Sequence, residues 1–591
     1  MPPTRLVRNW RKYSSHRAAL RAPCSADDDQ KHPTMSVIHY LRNRVAYWLA
    51  YFIVTRFRIP RDVVRWACRN YASRPALITE SGVWTFAQLH GRSLRLAQAM
   101  RAAGLGPGKV LLYQVEDGNE QLEIRFAAYE CGAIAAFLPS YAATAQVHEL
   151  LSAVRPCLVI AAPGGDLAVA FAEQTDRRVP MVLVGPQYED WLTACPAQYV
   201  DMPILADSVS AIIATSGTTG APKLMAQSHG AQATSLRMLI RNMDLASPAV
   251  TAGACMSAIP LGGAGSGLVL PALLSGTALV IPPSGATATL VDYIERYRVV
   301  RLFLTPSQLI DLLDLPPDDL ARLGSLRQII YGTESMPVPK LLEALQHFGP
   351  ILQQGYGSAE VLPPVAMLSA SDHRKALESG NSELLRSSGK VARGVQVQVV
   401  DGLGHPMPCG EVGYIRVNSP TRFVGYWSPT GIHDPQKNEP LLMGDVGYLS
   451  AEGYLYILGR QVDAIRVRCG DTEVEVFPRK VEEAVHQHPA VKEVALVAIE
   501  VQRQQRLYLA VVLRQKYRSS QPGLNAPNGR ELLECLHSDM PPEVLPQAVL
   551  FMDQLPRSPL CKILRRSVRD HVVQELAVDA DAFSVGASMP D

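Results

Sequence analysis

The chain carries the loop Ser216-Gly217-Thr218-Thr219-Gly220-Ala221-Pro222-Lys223, which follows Thr215 and the apolar run Ala211-Ile212-Ile213-Ala214. The apolar run predicts a buried strand, and the loop after it is rich in glycine and hydroxyl groups. Glycines let the backbone approach an anion, successive N–H groups and threonine hydroxyls donate to phosphate oxygens, and the lysine adds a positive charge. The stretch therefore predicts a phosphate-binding loop, with an ordinary glycine-threonine turn as the alternative.

Two common nucleotide motifs do not fit this chain. A Walker loop has glycine directly before its lysine, whereas Ala221-Pro222 separate Gly220 from Lys223. The run Gly262-Gly263-Ala264-Gly265-Ser266-Gly267 is not a dinucleotide fingerprint, because each G-x-G in it is followed by leucine at the sixth position. Kinase and Rossmann-type nucleotide sites are therefore not predicted.

Length and composition indicate a well-packed protein of more than one domain. The chain has 591 residues, of which 47% are hydrophobic and 19% are charged, and its formal net charge is +2. A chain of this length exceeds one hydrophobic core, so we expect a large domain and at least one smaller one. The near-neutral charge argues against a nucleic-acid partner. The ten cysteines form no C-x-x-C pair, which predicts reduced thiols and a cytoplasmic location rather than a zinc site or disulfide framework.

The first residues of the chain are basic. No acidic residue precedes Asp27, while several arginines lie between Arg5 and Arg21. This pattern fits a targeting peptide or a basic arm, and it also fits translation that starts at Met35.

An apolar, aromatic stretch follows at Val45–Val54, with Arg44 before it and Arg56 after it. Ten residues are too few to cross a bilayer, which needs about 20. The stretch fits a segment that lies in a membrane interface, which would make the protein peripherally membrane-associated. It fits equally well a helix that packs on the large domain.

The remaining pattern predicts an α/β fold with a second, α+β domain. Strand-like runs such as Lys109 to Tyr113 alternate with helical stretches such as Thr85 to Ala103, as in an α/β domain. Beyond Arg460 the sequence predicts, in order, a helix at Arg479 to His488, strands at Val491 to Ile499 and Arg506 to Leu513, a linker rich in proline and glycine at Ser519 to Gly529, a helix near Arg530 to Ser538 and a strand near Ala548 to Phe551. Roughly a hundred residues of this kind are enough for an independent domain.

The phosphate loop resembles the T-S-G-T-T-G-x-P-K-G motif of the AMP-forming adenylating superfamily, which includes acyl-CoA synthetases, adenylation domains of peptide synthetases and beetle luciferases. Further matches recur in the order of that family, from about Arg74 to Arg569. They are Thr215 to Lys223, Gln354-Gly355-Tyr356-Gly357-Ser358-Ala359-Glu360, Gly410-Glu411-Val412-Gly413-Tyr414-Ile415, Gly425-Tyr426-Trp427, Gly444-Asp445, Gly453-Tyr454-Leu455, Gly459-Arg460 and Leu555-Pro556-Arg557-Ser558-Pro559-Leu560-Cys561-Lys562-Ile563.

The resemblance implies a large multi-subdomain adenylating domain followed by a small, mobile α+β domain. On this basis we expect an amino-terminal extension at 1–60, a large ATP- and acid-binding domain at 61–460, a small domain with the catalytic lysine at 461–572, and a tail at 573–591. The implied reaction has two halves. A carboxylate first attacks the α-phosphorus of MgATP, and a thiol then attacks the acyl-adenylate so that AMP leaves.

The resemblance also assigns roles to single residues. Lys562 would bridge the substrate carboxylate and the α-phosphate, where it offsets negative charge. Glu360 would hold Mg²⁺, a hard cation that prefers carboxylate oxygen. Tyr356, with Gly357, would line the adenine pocket. Asp445 would accept hydrogen bonds from the ribose hydroxyls, and Arg460 would reach the same ribose. The remaining expected ATP contacts are those of the phosphate loop, namely Thr215, Ser216, Gly217, Thr218, Thr219, Gly220 and Lys223.

The chain departs from the family pattern at several positions. Leu224 stands where a glycine normally follows the loop lysine, and Ala359 stands where a threonine normally precedes the glutamate. Val462 replaces a charged hinge residue, and the segment from Arg468 to Val474 is longer than the usual Gly-Gly turn beside the pantetheine channel. The thiol half-reaction is therefore predicted with less support than adenylation.

The segment from Ile259 to Leu268 resembles the acid-binding segment of the family, and it contains Gly262, Gly263 and Gly265. Gly355 is expected to line the same acid pocket. The segment has no acidic residue to hold an ammonium, and an unpaired ammonium would be costly to bury. A fatty or aryl acid without an α-amine is therefore predicted. The glycines either leave volume for that acid or allow close packing.

Three functions remain open. The first is an acyl-CoA synthetase that uses ATP, Mg²⁺ and CoA on a small carboxylic acid. The second is a freestanding ligase that loads the acid onto the phosphopantetheine of an acyl or peptidyl carrier protein. The third, from another class, is a degenerate nucleotide-binding regulator, to which the departures at Leu224, Ala359 and Val462 point.

Overall fold

The structure is a computed structural model. It describes residues 52–139, 144–173, 179–215, 223–243, 253–283, 287–437, 439–469, 472–501, 504–518, 526–536, 540–541, 544–557 and 563–584. Ser216, Gly217, Thr218, Thr219, Gly220 and Lys562 lie outside the described residues, as do residues 1–51 of the amino-terminal extension.

The large domain contains most of the described strands. They are β1 (Pro75–Thr79), β2 (Gly82–Thr85), β3 (Val110–Gln114), β4 (Ile134–Phe137), β5 (Leu158–Ala161), β6 (Met181–Leu183), β7 (Val209–Thr215), β8 (Lys223–Ser228), β9 (Ala254–Ser257), β10 (Leu279–Val280), β11 (Val299–Leu304), β12 (Gln328–Gly332), β13 (Leu352–Tyr356), β14 (Ala366–Leu368), β15 (Lys390–Val391), β16 (Gln396–Val400), β17 (Gly413–Asn418), β18 (Gly425–Ser428), β19 (Gly431–His433), β20 (Leu441–Leu449) and β21 (Leu455–Arg460).

The described helices of this domain alternate with its strands. They are α1 (Pro60–Asn70), α2 (Phe86–Ala102), α3 (Asn119–Cys131), α4 (Thr144–Val154), α5 (Asp166–Glu173), α6 (Pro186–Thr193), α7 (His229–Met243), α8 (Val269–Ser275), α9 (Thr287–Arg296), α10 (Pro306–Leu313), α11 (Pro317–Arg322), α12 (Val338–Phe348) and α13 (Ala370–Ser379), with short 3₁₀ helices at Ala264–Leu268, Leu323–Ser325, Ser382–Arg386 and Gln461–Asp463.

The sequence marks helix ends where the structure has them. Thr85 caps α2 by accepting a hydrogen bond from the backbone N–H of Gln88, whose side chain accepts one from the Thr85 N–H in return. Helix α3 ends at Gly132, whose φ of 69° lies in the left-handed region that glycine adopts without strain. These caps hold the helices at the lengths that let them cover the sheets.

Two large sheets form the centre of the domain. One has the strand order β19-β18-β8-β7-β4-β3-β5-β6, and the other β15-β14-β13-β12-β11-β9-β10-β1-β2. Their central strands are parallel and nearly all buried, so they read as continuous apolar runs. A smaller antiparallel sheet, β16-β17-β20-β21, follows. The predicted α/β class is confirmed.

A small domain follows the large one toward the carboxyl terminus. It contains the strands β22 (Ile465–Cys469), β23 (Thr472–Val476), β24 (Val491–Val501), β25 (Gln504–Leu513) and β26 (Ala548–Phe551) and the helices α14 (Pro478–Val485), α15 (Gln515–Arg518), α16 (Gly529–Glu534) and α17 (Arg565–Ser584). Strands β24, β25 and β26 form one sheet, on which α14 and α17 pack. The α+β class agrees with the prediction, and the predicted order is found from α14 to β26 except for the short helix α15, whereas β22, β23 and α17 were not predicted.

Charged side chains join the small domain to the large one. Arg514, at the end of β25, is almost fully buried, and it pairs with Asp314 and with Glu343 at 2.8 Å. Lys492 of β24 pairs with Asp311 at 2.5 Å. Because breaking a buried pair leaves an uncompensated charge, these contacts hold the small domain in a defined orientation.

The carboxyl end of the predicted apolar segment Val45–Val54 packs against the large domain. Val54 is 0% exposed and Phe57 is 9% exposed, and both belong to the core cluster that includes Leu122 and Leu261. Residues 45–51 lie outside the described residues, so the interfacial alternative is not tested there. In the part of the chain that the structure describes, no helix has the length and apolarity to cross a membrane.

Candidate nucleotide and acid site

The site lies where the carboxyl ends of strands from both large sheets meet. Strands β4 and β7 end at Phe137 and Thr215 in one sheet, and β12 and β13 end at Gly332 and Tyr356 in the other. Open parallel sheets bind ligands at this edge, because the loops that leave the strands converge there. The phosphate loop connects β7 to β8, whose end residues Thr215 and Lys223 pair across an antiparallel ladder.

Three predicted nucleotide ligands form one cluster. Asp445 and Arg460 face each other in the register of β20 and β21, and Arg460 Nε lies 3.1 Å from Asp445 Oδ1. The hydroxyl of Tyr356 donates to the other oxygen of the same carboxylate. Tyr356 reaches this position because it is the last residue of β13. The structure thus brings together the residues predicted for adenine and ribose.

The charges of this cluster stabilise one another. Burial and the neighbouring charge of Asp445 raise the pKa of Tyr356 well above its usual value. Burial alone would lower the pKa of Arg460, but the charges of Asp445 and Glu360 outweigh it, and that pKa is raised. Tyr356 therefore stays protonated as a donor and Arg460 stays charged at neutral pH.

Glu360, the predicted metal ligand, stands close to this cluster. Its backbone N–H donates to Ser358 Oγ at 3.2 Å, and its carbonyl accepts from the Phe423 N–H at 2.8 Å. The backbone N–H and C=O of Glu360 are thus both hydrogen-bonded, and its side-chain carboxylate is left to bind a ligand. Burial, together with the charge of Glu360, raises the pKa of Tyr426, which places that carboxylate near the Tyr426 ring.

Lys223 and Glu360 meet at Tyr426. The ammonium of Lys223, an exposed residue, lies 5.8 Å from the centroid of the Tyr426 ring. A carboxylate beside a phosphate loop suits Mg²⁺, which commonly binds one or two carboxylates together with substrate phosphates. Among the described residues no group of three or more His, Cys, Asp or Glu side chains could hold a metal by itself. The donor set therefore fits a magnesium ion held jointly with bound ATP.

Thr333, which lies beside Tyr356, was not predicted from the sequence. It follows Gly332, which pairs with Gly355 of β13, and its φ of 76° is rare for a residue with a branched side chain. Its buried hydroxyl has no hydrogen-bond partner. Strain of this kind persists where a site requires it. The sequence does contain a signal for Thr333, because it closely follows the apolar strand Ile329-Ile330-Tyr331. Ligand-binding loops commonly follow the carboxyl ends of such strands.

The glycines predicted for the acid pocket mostly allow close packing. A Cβ on Gly262 would lie 1.8 Å from the ring of Phe137, and one on Gly265 would lie 2.2 Å from the carbonyl oxygen of Ile259. Of the two alternatives left open by the sequence, these positions favour close packing over open volume.

Gly355 and Gly263 differ from these glycines. A Cβ on Gly355 would meet only Met243, at an ordinary 3.8 Å. Gly263 precedes the short helix Ala264–Leu268 with a φ of −115°, which other residues also adopt. Space near the end of β13 is therefore compatible with a ligand.

Asp117, also missed from the sequence, holds the acid-binding segment in place. Its Oδ2 accepts a hydrogen bond from the Leu261 N–H at 2.7 Å, and the Gly262 N–H bonds to the same carboxylate. Burial raises the pKa of Asp117 despite these bonds. Asp117 thus positions the loop against Phe137.

The loop that contains Lys562 begins and ends close to the large domain. Arg557 and Ile563 pair as an isolated bridge, so residues 558–562 form the connection between them. Arg557 Nη1 donates to Glu334 at 3.2 Å, and Glu334 directly follows Thr333. The base of this loop is thereby tied to the nucleotide end of the site, while Lys562 itself lies outside the described residues.

The residues that depart from the family pattern lie in environments that leave the charged residues of the site in place. Leu224 pairs with Ala214 in the β7–β8 ladder and packs in the core, 5% exposed. Ala359 packs beside Tyr356, and its carbonyl accepts a hydrogen bond from Gln227. Val462 is 64% exposed and lies in the short 3₁₀ helix Gln461–Asp463, which directly follows Arg460.

Comparison with known proteins covers both domains. A family model described as AMP-binding enzyme matches residues 64–427, and one described as AMP-binding enzyme C-terminal domain matches residues 480–562. The chain is 28% identical to the medium/long-chain-fatty-acid–CoA ligase FadD8 of Mycobacterium tuberculosis, over 85% of this chain and 88% of that protein. It is 27% identical to the fatty acid–[acyl-carrier-protein] ligase ScoC of Streptomyces coeruleorubidus, over 84% of this chain and 93% of that protein.

A solved structure shares the fold. The anthranilate CoA ligase AuaEII in complex with anthranoyl-AMP superposes with a TM-score of 0.76 at 22% identity, over 87% of this chain and 97% of that chain. The likeness extends through the large and the small domain.

Proposed function

The chain belongs to the family of AMP-binding enzymes and is an AMP-forming acid–CoA ligase, and from this premise we propose that it activates a fatty or aryl carboxylic acid that lacks an α-amine. In the first half-reaction a carboxylate oxygen bonds to the α-phosphorus of ATP, the bond to the β-phosphate breaks, and pyrophosphate leaves. In the second, a thiol sulfur bonds to the acyl carbon, the acyl–phosphate bond breaks, and AMP leaves.

The cluster of Tyr356, Asp445 and Arg460 is the observation that carries this proposal. Asp445 is an acceptor-only carboxylate, which suits a ribose diol, and Arg460 fixes its orientation at 3.1 Å. Because Tyr356 and Arg460 already occupy both carboxylate oxygens, bound ribose would share these interactions. A preorganised arrangement of this kind costs little reorganisation when ATP binds.

Charge stabilisation is assigned to Glu360, Lys223 and Lys562. Glu360 would hold Mg²⁺ with the phosphates, and the ion would offset charge on the leaving pyrophosphate. Lys223 would contact the same phosphates from the loop. The tether between Arg557 and Glu334 supports the assignment of Lys562, because it anchors the base of the lysine loop beside Thr333.

The acid end supports a substrate without an α-amine. The carboxylate nearest to the segment at Gly262 is Asp117, which already accepts two backbone N–H groups. Among the described residues, the substrate's ammonium group would therefore have no carboxylate there that is not already hydrogen-bonded to the backbone. Burial of an unpaired ammonium would be disfavoured.

A carrier-protein acceptor is the second candidate. The similarity to ScoC, whose name specifies an acyl-carrier-protein acceptor, favours it. CoA and a carrier present the same phosphopantetheine thiol, so both fit the proposed chemistry. A regulator without catalytic activity is less well supported, because Asp445, Arg460 and Glu360 remain together.

The test is acid-dependent exchange of labelled pyrophosphate into ATP, with a panel of fatty, aryl and amino acids, followed by thioester assays with CoA and with a purified phosphopantetheinylated carrier protein. We expect exchange with acids that lack an α-amine, and thioester formation with CoA. Exchange followed by thioester on the carrier alone would select the second candidate. Nucleotide binding without exchange for any acid would contradict an acid-activating enzyme.

A further inference from the structure

Helix α3 carries polar side chains on the face that follows the acid-binding segment. Asp117, just before the helix, is followed at intervals of four by Gln121, Arg125 and Tyr129. Gln121, Arg125 and Tyr129 lie on the same side of the helix because they are four residues apart, and the side chain of Gln121 hydrogen-bonds to Asp117. We name these four residues the α3 seam.

The seam begins at the acid-binding segment and leads away from it. At one end Asp117 holds the N–H groups of Leu261 and Gly262. At the other end the hydroxyl of Tyr129 donates to Gln232 Oε1 at 2.7 Å, and its ring lies 6.1 Å from that of His229. A substrate that enters between the two sheets would meet the seam beyond its reacting carboxylate.

Arg125 is the unusual member of the seam. Its Nε donates to the Tyr129 hydroxyl at 3.0 Å, and its guanidinium carbon lies 5.9 Å from the Tyr129 ring centroid. Within the part of the chain that the structure describes, no carboxylate pairs with it, and Nη1 and Nη2 have no hydrogen-bond acceptor. The residue is half-buried, so its charge is partly withdrawn from water without compensation.

Two arginines that contact helix α3 are compensated. Arg92, on α2, pairs with Glu123 at 2.7 Å and with Glu189 at 2.6 Å. Arg65 pairs with Glu130. Arg125 therefore contrasts with its neighbours, which is expected if its partner is supplied by a ligand.

Further polar atoms near Arg125 also have no partner. The Oε1 atom of Gln121, a residue only 2% exposed, and both ring nitrogens of His229, which is 0% exposed, make no hydrogen bond. Buried polar atoms are nearly always paired, and each exception needs an explanation such as a ligand or water. Burial, with a smaller contribution from the charge of Arg61, lowers the pKa of His229 to about 4, so its ring is neutral and Arg125 is the cation of the α3 seam itself.

Aromatic packing connects Arg125 to the acid end of the site. Tyr113, at the end of β3, lies near enough for the charge of Arg125 to affect its pKa, although burial raises that pKa more strongly. The Tyr113 ring lies 5.2 Å from Phe137, which packs directly against Gly262. The cation and the acid-binding segment thus belong to one continuous set of contacts.

We propose that the α3 seam is a specificity subsite and that Arg125 binds a second anionic group, a carboxylate at the far end of the acid substrate. The proposal rests on the proposed function and deepens it to a class of long dicarboxylic acids. Helix α3 rises about 1.5 Å per residue, so Arg125 lies about 9 Å along the helix from its first residue, Asn119, which Asp117 precedes in the chain. Short diacids cannot span this distance, while a long-chain diacid or an extended aryl diacid can.

The test compares a long α,ω-diacid with its monomethyl ester, which removes one charge and changes little else. In pyrophosphate exchange we expect the wild-type protein to favour the diacid about tenfold or more in kcat/KM. Arg125→Met should lower kcat/KM for the diacid about ten- to a hundredfold, as loss of a charge-assisted hydrogen bond does, and should change the monoester less than about threefold. Arg125→Lys should restore part of the preference, because it keeps the charge.

Two further measurements separate ligand binding from a structural role. Arg125→Met should keep or raise Tm, because it removes an uncompensated charge, whereas the control Arg92→Met should lower Tm and keep the diacid preference. The diacid alone should raise the Tm of the wild-type protein and not that of Arg125→Met. This shift would support the seam even if no acid gave exchange, in which case only the proposed function would fail.

Three results would overturn the proposal. The first is equal use and equal binding of diacid and monoester by the wild-type protein. The second is a diacid preference that survives Arg125→Met. The third is a loss of several degrees in Tm on Arg125→Met together with no ligand effect, which would make Arg125 a structural residue.

Discussion

The two ends of the site satisfy their charges differently. At the ribose end, Tyr356, Asp445 and Arg460 are partners of one another before any ligand binds. At the acid end, Arg125 bonds to the Tyr129 hydroxyl but pairs with no carboxylate, and the Oε1 atom of Gln121 has no hydrogen-bond partner, among the described residues. Internally paired groups are preorganised for a ligand of fixed chemistry, whereas unpaired groups are satisfied only by a ligand that supplies the missing atoms. On the proposed assignment, the fold itself organises the ATP end, whereas acid selection would depend on single residues.

The largest expected effect comes from Lys562, whose proposed role joins the acid to the nucleotide. Lys562→Ala should lower adenylate formation by about a hundredfold or more, because the lysine offsets charge between the acid and the α-phosphate. Thioester formation from preformed acyl-adenylate should change much less, since no such charge develops there. Pyrophosphate exchange measures the first half-reaction and a single-turnover thioester assay the second. Equal losses in both would mean that Lys562 does not act in adenylation.

Asp445→Asn tests the ribose end. The substitution removes the charge that Arg460 and Tyr356 share, and hydrogen bonds to charged groups contribute about 1.5–3 kcal/mol. We expect KM for ATP to rise about ten- to a hundredfold, while KM for the acid changes little. A comparable rise in both constants would show that the two ends are not separate. Tm should fall as well, because Arg460 is left without this carboxylate.

Glu360→Gln tests the metal between the ends. The side chain keeps its size but loses the charge that a hard cation requires, so the Mg²⁺ concentration for half-maximal adenylation should rise about tenfold. Tm should stay close to that of the wild-type protein, because the backbone contacts of Glu360 with Ser358 and Phe423 are retained. An unchanged magnesium titration would exclude Glu360 as a ligand.

The sequence was sufficient to select the residues of the Tyr356–Asp445–Arg460 cluster and insufficient to select Asp117 and Arg125. Asp445, Arg460 and Tyr356 stand in short local motifs, and the register of β20 and β21 places Asp445 opposite Arg460. Asp117 and Arg125 belong to no motif, and their environment depends on packing between segments that are far apart in the chain, such as Asp117 with Leu261. The strained Thr333 was missed for a similar reason, since a positive φ in a threonine follows from tertiary contacts.

The glycines also show that the sequence does not determine contacts between segments that are far apart in the chain. From the sequence, Gly262 and Gly265 were compatible with either open volume or close packing, because glycine serves both. Only the positions of Phe137 and Ile259 in space distinguish the two. For the small domain the prediction was better: the helix expected from Arg479 is α14, and the strand expected at Ala548 to Phe551 is β26. Hydrophobic periodicity is local information, so it determines elements more readily than contacts.

Gly262→Ala tests the acid end by sterics. A Cβ at 1.8 Å from Phe137 forces the ring or the loop to move, and overpacking of this kind typically costs about 1–3 kcal/mol. We expect a lower Tm and a rise of about five- to tenfold in KM for the acid, with KM for ATP nearly unchanged. Gly267→Ala is the matched control, since its Cβ would meet nothing within 4 Å. Equal effects of both substitutions would refute the role of the Phe137 contact.

The smallest expected change in catalysis comes from the amino-terminal segment, which also belongs to the acid end. Val54 and Phe57 share a core cluster with Leu122 and Leu261, and the carbonyl of Phe57 accepts a hydrogen bond from Arg237 of α7. Deleting residues 1–58 should therefore lower Tm by several degrees and raise KM for the acid about two- to threefold, while KM for ATP stays the same. Deleting residues 1–34 is the control, because it retains the segment at 45–58.

The rival expectation is that the apolar stretch binds membrane surfaces. In that case the longer deletion would leave Tm and activity on a short acid intact and would abolish co-sedimentation with anionic vesicles. Because Val54 is buried in the large domain, we expect the first outcome, and intact Tm with lost vesicle binding would reverse that conclusion.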